Sequence, residues 1–91
     1  LRIVQQKVPG VPAKLAQQIV SFVQRLRELE LYKSPGIAET LDWAASLMAL
    51  DVTSLEPAAL EDTYGALLKY QDDIVRARAA AQDLLAQAQT V

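Results

Sequence analysis

Apolar residues in this chain recur every three or four positions, the spacing of one face of an α-helix, and no stretch alternates as a strand does. Leu15, Ile19, Phe22, Leu26 and Leu29 predict an amphipathic helix over residues 12 to 30. Gln17, Ser21, Gln24 and Glu28 fall on its opposite side. Pro9, Gly10 and Pro12 break any helix before residue 12, so residues 1 to 11 read as extended chain or linker, with residues 12 to 91 as the helical domain. Residues 31 to 33 turn the chain. A second helix is expected from Pro35 to about Leu50, with Ser34 as its cap and Pro35 at the first position, where a missing N–H costs nothing.

That second helix carries two apolar stripes side by side. Ile37, Leu41, Ala44 and Met48 form one; Thr40, Trp43, Leu47 and Leu50 form the other. Only a narrow polar arc remains, made by Glu39, Asp42 and Ser46. Such a helix is either central in its domain or covered on a second side by something outside this chain. Trp43 can accordingly be a core aromatic or an interface one.

After a polar loop at residues 51 to 56, Pro57 restarts a helix whose buried face is Leu60, Thr63, Tyr64, Leu67 and Leu68. Gly65 inside it costs about 1 kcal/mol relative to Ala, which points to close approach of a neighbouring helix, with a surface glycine as the alternative. A last helix is expected from about Asp72, which can cap it and stands four residues before Arg76. Its stripe of Ile74, Ala77, Ala81, Leu84, Leu85 and Ala88 is thin, so its end is expected to fray. Tyr64 and Tyr70 read as packing residues with surface hydroxyls, and Arg76 and Arg78 as solubilising charge. The fold expected is all-α, a small bundle of about four helices.

Composition narrows the function. Hydrophobic residues at 52% against 22% charged belong to a folded chain rather than a disordered one. A net charge of −2 with scattered Lys and Arg argues against nucleic acid, including a helix-turn-helix reading of the turn near residues 31 to 34. No run reaches the length of a membrane span. With neither Cys nor His, thiolate chemistry and the commonest general base and metal ligand are all missing. Glu39 with Asp42, and Asp72 with Asp73, read as solvated or capping carboxylates rather than a metal or catalytic pair. The expectation is a cytoplasmic fragment of a longer protein, itself without catalytic chemistry.

One string adds a more specific reading. Tyr32-Lys-Ser-Pro-Gly-Ile-Ala-Glu-Thr-Leu-Asp-Trp43 resembles the start of the second lid helix in AAA+ ATPases of the MoxR family. It is most similar to the branch accompanying carbon monoxide dehydrogenase. Val8-Pro-Gly-Val-Pro12 and Asp62-Thr-Tyr-Gly-Ala-Leu-Leu-Lys-Tyr-Gln-Asp-Asp-Ile74 extend the likeness to roughly residues 3 to 76.

The resemblance implies a C-terminal lid that closes over ATP and Mg2+ held mainly by an ATPase core outside this chain. Ring neighbours and a von Willebrand factor A domain protein are the implied partners, and chaperone-like maturation of a client complex is the implied activity. Lys33, Ser34, Pro35 and Gly36 would face the nucleotide, and Val8, Pro9 and Gly10 would form the hinge. Family members carry an arginine, the sensor-two residue, where Gly36 stands here; either Lys33 supplies that charge from another angle or the branch does not use that contact at all. The rival reading is a free-standing helical module that binds a partner helix in a groove, with no nucleotide.

Overall fold

The computed structural model describes residues 2–89, and the side chains of residues 4–86. Ala88's side chain, Leu1 and the chain end expected to fray lie outside the described residues. Among those described, the chain is all-helical: α1 (Arg2–Lys7), α2 (Ala13–Leu26), α3 (Ile37–Ala49), α4 (Pro57–Leu67), α5 (Gln71–Ala79) and α6 (Ala81–Gln89). Two of these six were not expected. Residues 2 to 7 are helical rather than extended, and α1 lies against α2 and α3 and buries Val4. The last helix breaks at Ala80 into α5 and α6, and its cap position is Tyr70 rather than Asp72.

Helix α2 is the centre. Leu15, Ala16, Ile19, Phe22 and Leu26 have no exposed surface, and α2 packs chiefly on α6, with α3 and α1 also against it. It ends at Leu26, short of Leu29, and its burial reaches beyond one stripe. Ser21, expected on the polar side, is buried, and so is Gln18. The Gln18 amide is satisfied across the bundle: its Oε1 accepts the Leu55 N–H at 2.9 Å and its Nε2 donates to Ser54 Oγ at 3.2 Å. A buried amide without partners would be costly, so this pairing fixes the loop between α3 and α4 to α2.

Helix α3 packs mainly on α4. Trp43 is fully buried, its ring 5.4 Å from that of Phe22, and its indole N–H donates to Thr63 Oγ1 at 2.8 Å. The core reading of Trp43 therefore holds and the interface reading falls. Thr40 and Leu47 of the same stripe are also buried, but Leu50 at its end is exposed. On the other stripe only Ile37, at 61%, is exposed; Ala44 is fully buried, and Leu41 and Met48 pack partly buried against the core. The helix closes in a Schellman motif: Val52 N–H bonds the Leu47 carbonyl and Asp51 N–H the Met48 carbonyl, both at 3.0 Å. Asp51 takes the left-handed position at φ 57°, a place where glycine is usual and aspartate is tolerated.

Two glycines contrast. Gly10 sits at φ +91° in the turn after α1, with Met48 close by, so a side chain there would be strained. Gly65 has nothing within 4 Å of where a Cβ would lie, so no helix approaches it and it is a surface glycine.

The burial of Trp43 sets the first testable outcome. Trp43→Ala is expected to lower the unfolding free energy by about 3–5 kcal/mol. Urea denaturation would show this as a reduced midpoint, and an unchanged midpoint would contradict the core placement.

Candidate functional site

The chain between α2 and α3 is short, exposed at its crest and tied down along its length by helix side chains. Asp73, in the first turn of α5, is 2% exposed. Its two carboxylate oxygens accept the Tyr32 N–H at 2.8 Å and the Lys33 N–H at 3.0 Å. Arg27, just past the end of α2, donates from Nε and Nη2 to the Pro35 carbonyl at 3.3 and 3.2 Å. The Arg76 guanidinium donates to the Glu30 carbonyl. Arg76 is thereby engaged with this loop and does not form the expected ion pair with Asp72. Pro35 is buried, whereas the side chains of Lys33 and Ser34 stand in water.

The helix start differs from the expected one. The cap of α3 is Gly36, with extended backbone, and Pro35 lies outside the helix. Ser34 is farther out still and makes no capping bond. Three groups meet at Gly36 instead. Its N–H donates to Glu39 Oε1 at 2.8 Å, and its carbonyl accepts the Thr40 N–H at 3.0 Å and the Thr40 hydroxyl at 2.7 Å. A Cβ at residue 36 would lie 3.0 Å from Glu39 Oε1, so the carboxylate closes tightly over the glycine. The Gly36 N–H holds the Glu39 carboxyl below its ordinary titration range, helped by Glu39's own N–H and the charges of Lys33 and Lys69.

This geometry sorts the four residues expected to face a nucleotide. Glu39 already occupies the Gly36 N–H, so an incoming phosphate would have to displace a carboxylate to use it. Pro35 offers only a carbonyl, which Arg27 holds. Lys33 and Ser34 alone present free polar groups outward. Among the described residues no three acidic side chains gather as a cation site. The three expected hinge residues are part of a turn: Val8 N–H bonds the Val4 carbonyl at 2.9 Å and Val11 N–H the Val8 carbonyl at 3.3 Å, with Val8 packed on the core.

Beside this loop, the side chains of α5 and α4 complete a charged surface. Arg78 pairs with Glu61 at 2.7 Å and lies 5.9 Å from the centre of the Tyr64 ring. Burial raises the Tyr64 hydroxyl above its ordinary range, with Glu61 adding to the shift and Arg78 opposing it. Tyr70, in contrast, is half exposed and meets Tyr32 at the surface, so it is not a core packing residue. The pinning residues Asp73, Arg27 and Gln18 were not distinguishable as such in the sequence. Asp73 follows another aspartate at a helix start, where capping explains either one. Compared with protein-family models, curated proteins and solved structures, the chain matches none of them.

Asp73→Ala should remove a buried acceptor from two backbone N–H groups and destabilise the fold by roughly 1–3 kcal/mol. Amide exchange would accelerate first at Tyr32 and Lys33; unchanged protection there would mean that the carboxylate does not hold the loop. Glu39 gives a pH signature. Its folded carboxyl titrates below the unfolded one, so its contribution is present above the unfolded value and is lost as pH falls through the folded value. Glu39→Gln should lower the melting temperature at neutral pH and reduce its decline between about pH 5 and pH 3. Identical pH profiles for the two proteins would refute the role of the carboxylate.

Proposed function

We propose that this chain is the lid domain of a MoxR-like AAA+ ATPase. In this reading it closes over ATP bound in an ATPase core and couples hydrolysis to chaperone-like remodelling of a client complex. The observation that carries the proposal is the spatial meeting of the segments that bear the resemblance. Asp73, from the string ending at Ile74, holds the backbone of Tyr32 and Lys33; Thr63 of that same string accepts the indole N–H of Trp43. Residues far apart in the chain that share a family pattern are thus the ones that tie the bundle together.

The lid would act by position rather than by bond-making. It presents Lys33 and Ser34 from a loop clamped at Glu30, Tyr32, Lys33 and Pro35. A clamped loop keeps its orientation when the whole bundle tilts, so a nucleotide that contacts it can favour one tilt over another through differential affinity. Lys33 carries the charge in this scheme, because Gly36 cannot and its N–H is taken. ATP and Mg2+ would bind mostly through the core, with ring neighbours and a von Willebrand factor A domain protein as partners in the cytoplasm.

Two measurements test this. The coding sequence ahead of Leu1 is expected to contain G-x-x-x-x-G-K-S/T, the loop that cradles phosphates. The 91-residue chain alone is expected to bind ATP with Kd on the order of 1 mM or weaker, read by titration calorimetry. An upstream sequence without that loop, or micromolar ATP binding by the chain alone, would overturn the lid reading.

A further inference from the structure

A surface cleft of ≈ 560 Å³ lies between the loop after α2 and α5. Its walls combine exposed apolar surface with unpaired negative charge. Tyr32 is 78% exposed and Val75 57%, and both line the cleft. The Tyr70 ring lies 6.0 Å from that of Tyr32, tilted by 53°, which extends the aromatic surface. Among the described residues, three of the five large hydrophobic side chains standing out in water therefore cluster at this one place. Glu30 and Asp72 also line it, and among the described residues neither carboxylate has a hydrogen-bond or ion-pair partner. The one cation on the wall, Arg76, has its guanidinium turned to the Glu30 carbonyl.

Core packing does not account for this arrangement. A buried carboxylate is committed to fixing the backbone of a loop whose aromatic side chain points into water. The loop is held at successive points by Asp73 and Arg76 of α5, so a partner need not order it on binding. Negative charge, aromatic faces and a small apolar floor together suit a guanidinium: it pairs with carboxylates through directed N–H bonds and stacks on tyrosine faces. We infer that this cleft docks an arginine side chain carried on an exposed segment of a partner protein, with the neighbouring apolar residue of that segment resting on Val75. The inference stands independently of the nucleotide reading, since neither Lys33 nor Ser34 takes part.

The test is an amide-shift titration of the 91-residue chain with the blocked peptide acetyl-Gly-Leu-Arg-Gly-amide. Saturable shifts are expected at Tyr32, Asp72 and Val75. The citrulline counterpart, equal in shape but uncharged, should bind about tenfold or more weakly, as expected for a lost charge-assisted pair. The double variant Glu30→Gln, Asp72→Gln should show the same loss with the arginine peptide. Both sites are exposed, and the dispersion of the variant's spectrum reports that it is folded. Tyr32→Leu, which keeps the apolar surface and removes the π face, should also weaken binding. Equal binding of the citrulline peptide, undiminished binding to the double variant, or no saturable shift up to about 10 mM would each overturn the proposal.

Discussion

One buried carboxylate organises the end of this molecule that carries the candidate site. Asp73 has almost no contact with water, and a carboxylate so placed is costly unless hydrogen bonds replace its hydration. Two successive N–H groups of the loop after α2 do so. The dependence is mutual. The loop's N–H groups need an acceptor and the carboxylate needs donors, so the start of α5 and the crest of the loop hold each other in place. The exposure of Tyr32 and Lys33, and hence every surface described for this end, follows from that pairing.

The same device recurs elsewhere in the bundle. Gln18, buried in α2, satisfies the Leu55 N–H and reaches Ser54. Arg27 holds the Pro35 carbonyl from the end of the same helix. Short loops that cross helix ends leave backbone groups unpaired, and in this fold long polar side chains projecting from helices pair them. The apolar core decides that the helices pack. These polar ties decide where the loops between them sit.

That division explains what could be read in advance. Helices α2, α3 and α4 were legible because Leu15, Ile19, Phe22, Leu26, Trp43, Leu47, Leu60 and Leu67 follow the 3.6-residue period and are buried. Helix α1 was not, since Pro9 and Gly10 signal a break but say nothing of the turn and a half before it. The division between α5 and α6 was hidden in Ala79-Ala80-Ala81, where every residue favours helix and only the packing of α6 on α2 imposes a bend. The two apolar stripes of α3 left open whether the helix is central or covered from outside the chain; α4 covers the Trp43 stripe, α1 and α2 also pack on α3, and of the other stripe only Ile37 stays open. Ser34 looked like a cap by residue type, yet Glu39 performs that task from within the helix. Residue type and spacing locate helices well, but they do not state which of several polar groups a loop will meet.

The ties also bear on what a family likeness can mean here. Trp43, Thr63, Tyr32, Lys33 and Asp73 all lie in the strings that resemble MoxR lids, and the backbone or side chain of each serves a bond that holds the bundle. A fold that needs those bonds would keep such residues whatever it binds, because structure and function are separable. Lys33 is the exception within that set. Its backbone is used by Asp73, but any residue other than proline supplies that N–H, and its side chain stands in water with no hydrogen bond of its own. Within the fold its charge does no more than help the backbone N–H groups hold the Glu39 carboxyl low. The charge of Lys33 is therefore the feature of the proposed likeness that the fold needs least, and on which a nucleotide role has to rest.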